Sequence, residues 1–130
     1  MKEIKKDEFV SDWSVYPNFQ EWEFACPSSG KAYMQKRFMD KLQRARTIAG
    51  VSFHISSGYR DEAYNDSLPN SVPNSAHIYG LACDIWFDSM LDRLKAFDAF
   101  REVGIKRIGI SKGFMHVDVD DSKPEGILGY

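Results

Sequence analysis

Leu81-Ala82-Cys83-Asp84-Ile85-Trp86-Phe87 is an apolar run with one carboxylate inside it. A run of this length reads as a largely buried strand. An unpaired carboxylate buried in it is costly, so Asp84 needs a partner. Upstream, Val51 to Ser57 alternates in strand fashion, with Val51, Phe53 and Ile55 on one face. Before that strand, Met34, Phe38, Leu42, Ala45 and Ile48 keep helical spacing. They predict a helix from Lys31 to Ala49, capped by Ser28 or Ser29 and stopped by Gly50. Downstream, Asp88 or Ser89 caps a helix over 89–103 whose expected buried stripe is Leu91, Leu94, Phe97, Phe100 and Val103. Ile105 to Ile110 and Phe114 to Val119 then read as two strands joined at Ser111-Lys112-Gly113. This order predicts an α+β fold: a small, mostly antiparallel sheet with helices packed on one face.

The chain's 130 residues suit a single domain. Residues 1–12 are a polar lead-in, and residues 13–30 an irregular wrap whose Trp13, Tyr16, Phe19, Trp22 and Phe24 are expected to pack on the core. Residues 58–76, punctuated by Gly58, Pro69, Asn70, Pro73 and Asn74, read as a long functional loop, and Asp120 to Tyr130 as a loop end. Lys plus Arg is 17 and Asp plus Glu is 19, giving a net charge of −2, which speaks against a nucleic-acid partner. No apolar stretch is long enough to span a membrane. The charged start Met1-Lys2-Glu3-Ile4-Lys5-Lys6 leads into no apolar segment, so a secretory leader is not expected and the protein is expected to be cytoplasmic as made. Cys26 and Cys83 are expected to be two free, buried thiols, and His54 a structural histidine.

His77, Asp84 and His116 stand out as a set. Two imidazoles and a carboxylate suit a zinc ion with one coordination position left for water. The spacing alone also allows a loop histidine, a turn-capping aspartate and a core histidine. Arg60 fits either a substrate-facing charge or a surface ion pair with Asp61 or Glu62. There is no H-E-x-x-H, no G-x-S-x-G and no phosphate-binding glycine loop.

Ser57-Gly58-Tyr59-Arg60 is followed by Ser75-Ala76-His77-Ile78-Tyr79-Gly80-Leu81-Ala82-Cys83-Asp84-Ile85 and then by His116-Val117-Asp118. With Glu23-Phe24-Ala25-Cys26-Pro27, these segments resemble the M15 family of zinc peptidases, in particular its D-alanyl-D-alanine carboxypeptidase-like and phage-endolysin-like members. The resemblance covers roughly residues 22–120, leaving 1–21 as lead-in. It implies the fold shared with D,D-dipeptidases and the Hedgehog signalling domain, and one zinc ion per chain held by His77, Asp84 and His116. It implies that Arg60 faces the substrate or the developing oxyanion, with Ser75, Tyr64 and Asn65 as further substrate-side positions. Gly80 and Ala82 would let the chain pass close beneath the metal. The implied substrate is a peptide of bacterial peptidoglycan, cut as a carboxypeptidase or an endopeptidase by a monomer. A wall-directed enzyme made without a leader would be released by lysis or carried in a phage particle.

The chain departs from the pattern at the general base. The family's carboxylate three residues before the last histidine is replaced by Gly113, and no Asp or Glu lies between Val103 and Met115. Positions 116 and 118 share a strand face, so Asp118 is the expected base or an orienting partner, with Asp120 as an alternative of the same parity. Tyr64 stands where the family often has histidine, and Ser28 and Ser29 where a second cysteine is frequent. The missing base sustains a different expectation: a non-catalytic module that binds zinc or wall peptide in a phage or bacterial assembly. On ordinary histidine and aspartate ionisation, zinc affinity is expected to weaken below about pH 6.

Overall fold

A computed structural model describes residues 4–129. Helix α1 (Lys36–Ala49) precedes strand β1 (His54–Ser57), helix α2 (Glu62–Ser67) and strand β2 (Ala82–Trp86). Helix α3 (Met90–Glu102), β3 (Arg107–Ile110), β4 (Met115–Asp118) and β5 (Gly126–Gly129) follow. The strands form one sheet in the order β1-β2-β4-β3-β5. Every pairing is antiparallel except β3 with β5, which is parallel. The α+β architecture with a mostly antiparallel sheet is therefore as the element order predicts.

One sheet face is apolar. Cys83, Ile85, Ile108, Met115 and Val117 lie buried in one cluster with Phe38, Met39 and Leu42 of α1 and Ala96, Ala99 and Phe100 of α3. The other face carries Asp84, His116 and Asp118 by strand alternation. Cys26 and Cys83 are free and buried. Tyr16, Phe19 and Phe24 of the N-terminal wrap are buried and Trp13 packs against the core, but Trp22 is exposed.

Several element limits differ from expectation. Helix α1 starts at Lys36 because the preceding backbone is already engaged: Met34 accepts from Val10 N, and Gln35 N donates to Gly80 O. Ser28 and Ser29 therefore cap nothing there. The expected structureless loop 58–76 contains α2, capped by Asp61, whose carboxylate accepts from Tyr64 N at 2.8 Å. The tail is not a plain loop end, because β5 adds to the sheet edge. Helix α3 is rotated from the expected stripe. Leu91 and Leu94 are exposed, and Ala96, Ala99, Phe100 and Val103 are buried. Ile48 at the end of α1 is also exposed.

Two glycines are needed for close approach. A Cβ at Gly58 would sit 2.6 Å from Phe24 Cα. Gly80 has φ +68°, and a Cβ there would lie 1.9 Å from Tyr33 O. The chain at Gly80 is thus tight against residues 33–34. Gly80→Ala is expected to destabilise the protein by about 2–5 kcal/mol, from backbone strain plus overpacking. A lowered urea midpoint at unchanged slope would show it.

Candidate metal centre

His77 sits in a single 3-10 turn, Ala76–Tyr79. Ser75 caps that turn, its Oγ accepting from His77 N at 3.3 Å, and Gly80 ends it in the left-handed region. Asp84 and His116 come from the paired strands β2 and β4, where they lie directly opposite each other. His77 Nδ1 donates to Gly58 O at 2.7 Å, because a carbonyl can only accept. That bond fixes the tautomer and leaves Nε2 as a free lone pair, 3.4 Å from Asp84 Oδ1. His116 Nδ1 lies 2.9 Å from the same Asp84 oxygen.

This donor set fits a zinc ion. One donor atom from each of His77, Asp84 and His116 lies within 4.8 Å of the other two. Ligands at tetrahedral zinc distances sit about 3.3 Å apart. The His77–Asp84 separation is close to that value, and the His116–Asp84 separation is shorter, at hydrogen-bond length. Both nitrogens and the oxygen belong to the ligand types zinc prefers.

The electrostatics follow from burial and pairing. Burial pushes the Asp84 carboxyl up, but the hydrogen bond from His116 and the closeness of the His77 ring outweigh it and hold it well below the usual carboxylate range. Burial pulls His77 down. Burial also opposes the charge on His116, yet its bonds to Asp118 and Asp84 prevail and push it up to about 9.

Arg60 makes no ion pair with Asp61 or Glu62. Its Nη2 lies 3.4 Å from Asp84 Oδ2, its Nε donates to Ser57 Oγ at 3.1 Å, and its Nη1 donates to Asn65 Oδ1 at 3.3 Å. Arg60 also lines the cleft that opens over the three ligands, a cavity of about 560 Å³. Ser75 lines it as well. Asn65 is fully buried and does not; it steadies Arg60 and donates to Val72 O at 3.1 Å. Tyr64 is not among the cleft's lining residues either. Asn65 therefore lies behind the wall of the cleft, and Tyr64 is half-buried outside its lining.

Asp118 meets the edge of the His116 ring that faces away from Asp84. It is 1% exposed. Its Oδ2 is 2.7 Å from His116 Nε2, the ring nitrogen remote from Asp84. Its Oδ1 accepts from Arg107 Nε at 2.7 Å and from Asp120 N at 3.0 Å. Both oxygens are thus engaged on the far side of the His116 ring, the arrangement that orients a ligand and raises its basicity. Asp120 does not line the cleft; its Oδ1 accepts from Ser122. The alternation had placed Asp118 on the correct face without showing which edge of the imidazole it meets.

Arg107 and Lys123 are cleft residues that the sequence reasoning missed. Arg107 sits opposite Asp118 on β3, and Lys123 Nζ donates to Asn74 O at 2.6 Å, tying the C-terminal segment to the rim. The available signal was Asp118 itself: a buried carboxylate in an apolar strand requires a cation on the neighbouring strand.

The Peptidase M15 family model matches residues 15–120. The chain therefore belongs to the M15 peptidase family. No curated protein shows a significant match to it. No helix among the described residues is long and apolar enough to cross a membrane.

The pH limit expected from ordinary ionisation moves up. In the metal-free protein His116 keeps both protons until pH about 9. A metal at Nδ1 displaces one, so zinc binding near neutral pH is expected to release about one proton, with affinity climbing toward pH 9. Metal-free stability runs the other way. The folded value lies above the unfolded 6.5, so this contribution is complete below 6.5 and is lost as pH rises through about 9. Calorimetric titration in two buffers of different ionisation enthalpy counts the released proton; a count of zero near neutral pH contradicts the assignment.

Proposed function

We propose that this protein is a zinc-dependent peptidase acting on the peptides of bacterial peptidoglycan. The observation that carries it is the convergence of His77 Nε2, Asp84 Oδ1 and His116 Nδ1 at the floor of an open cleft. Zinc held there would polarise a peptide carbonyl and acidify a bound water. The protein's own residues supply the setting. Gly58 O and Asp118 fix the two imidazoles. Arg60 brings a permanent positive charge beside Asp84, where a developing oxyanion or a substrate carboxylate would lie. Arg107 and Lys123 add two more cations to the lining, each paired with a carboxylate, Asp118 at 2.7 Å and Asp120 at 3.2 Å. A substrate carboxylate at Arg60 would suit removal of a terminal residue, and an oxyanion there would suit an internal cut as well.

A second reading rests on a specific observation. Among the described residues lining the cleft, the carboxylates are Asp84, a ligand candidate, and Asp118, engaged behind His116. A site without an independent proton acceptor suits a module that binds zinc and wall peptide without cutting. Peptide release from purified peptidoglycan separates the two. Release that requires zinc, stops with chelator and falls at least about 100-fold in Arg60→Ala supports the enzyme. Zinc and peptide binding with no release selects the binding module.

A further inference from the structure

The row of residues that contains the metal donors continues across the sheet. Asp84 on β2 faces His116 on β4, His116 faces Gly109 on β3, and Gly109 faces Leu128 on β5. Paired positions on neighbouring strands put their side chains on the same face. The row therefore runs from the ligands to Leu128 with one gap, because Gly109 has no side chain. A glycine inside a strand weakens it and often marks a place where a ligand comes close to the backbone.

The gap is a real depression. It encloses about 240 Å³ beside Gly109, His116 and Leu128, and Pro124, Glu125 and Ile127 also line it. Arg107, His116, Asp118 and Leu128 line both this depression and the cleft over the metal donors, so the two are continuous. Leu128 is 61% exposed. A single exposed leucine is ordinary; a leucine walling a notch that opens onto a hydrolytic site is a contact for substrate.

The geometry points to a side-chain subsite here: Gly109 and Leu128 receive an apolar side chain of the peptide whose backbone lies across His77, Asp84 and His116. This rests on the peptidase reading for where the backbone lies. The volume admits a branched aliphatic side chain, and β5 supplies the wall. The C-terminal strand thus has a role in selecting the substrate.

The test reads binding, so it does not depend on cleavage. Zinc-loaded protein is titrated with Gly-Gly, Ala-Ala, Leu-Ala and Ala-Leu, in L and D forms, following the backbone amide signals of Gly109, Gly126 and Leu128. At least one leucine dipeptide is expected to move these signals and bind about tenfold tighter than Gly-Gly. Leu128→Ala and Gly109→Val are each expected to remove that preference, and zinc content stays unchanged in Leu128→Ala. A wild type that binds leucine and glycine dipeptides alike, or neither, overturns the subsite, as does a preference that survives both substitutions. If Gly109→Val does not fold, Leu128→Ala at its exposed position decides alone. Preferential binding without fragment release from peptidoglycan keeps the subsite and rejects the peptidase.

Discussion

His77→Ala is expected to lower zinc affinity by more than about 100-fold, the upper end for losing a mere orienting partner. His77 supplies a ligand nitrogen, and nothing nearby can replace it. Its Nε2 is aimed at Asp84 by the bond from Nδ1 to Gly58 O. Alanine also leaves a hole where the His77 side chain packs, since His77 is 2% exposed. Loss of peptide release should follow in the same variant, and added zinc should not restore it at concentrations that saturate the wild type. The control is Gly58, whose carbonyl is backbone and stays in place in His77→Gln. Glutamine fills the space but offers a poor zinc ligand, so both variants should fold and both should fail to hold metal. Metal content of purified protein checks this directly: about one zinc per chain in the wild type and near none in the variants. A His77→Ala protein that retains zinc at wild-type affinity would remove the centre from this site altogether.

The site was legible where side-chain parity and chemistry agree. Asp84 in an apolar run and His116 in the last expected strand both read as strand residues, and the register sets them opposite each other on neighbouring strands. What parity cannot supply is direction within a face. It put Asp118 beside His116, but the edge of the ring it meets depends on rotamers and on Arg107, which comes from β3. Asn65 was read through the family pattern as a substrate contact; its burial depends on the closure of loop 68–75 onto α2, through its bond to Val72 O. Long-range closure of that kind leaves no periodic trace.

The fold was legible for the same reason and failed at similar places. Strands β1 to β4 carry alternation or apolar runs bounded by turn residues. Gly126-Ile127-Leu128-Gly129 carries neither, being two apolar residues between glycines after Pro124. It becomes a strand because the exposed edge of β3 is available to pair with it. The sequence of α3 favours Leu91 and Leu94 for the buried face because leucine outranks alanine on any hydrophobic count, yet both are exposed. Its first two turns project past the core, while the small Ala96 and Ala99 allow α1 to pack closely. Leu94 is left lining a shallow surface depression with Met90, Phe97 and Ile110.

Asp118 decides how the site works, and two substitutions there give opposite patterns for its two possible roles. As the partner that orients His116, its carboxylate matters through the 2.7 Å contact with Nε2. Asp118→Asn keeps an acceptor oxygen for that nitrogen and loses the charge. Asp118→Ala loses both and leaves Arg107 without its partner. The expected result is graded: zinc affinity falls about tenfold in Asn and about 100-fold in Ala. Peptide release at saturating zinc then stays within about tenfold of wild type in the Asn variant. A general base behaves otherwise. Neither variant could take a proton, so both would lose about 10²–10⁴ in rate at full zinc occupancy, with zinc affinity unchanged. Zinc dissociation constants alongside release rates at saturating metal separate the patterns, because only the orienting role moves affinity. The structure favours the graded result. Both Asp118 oxygens are already engaged, by His116, Arg107 and the Asp120 amide, on the side of the imidazole away from Asp84. Equal and complete loss of rate in both variants, with metal fully bound, would overturn that assignment and return Asp118 to the proton-transfer step.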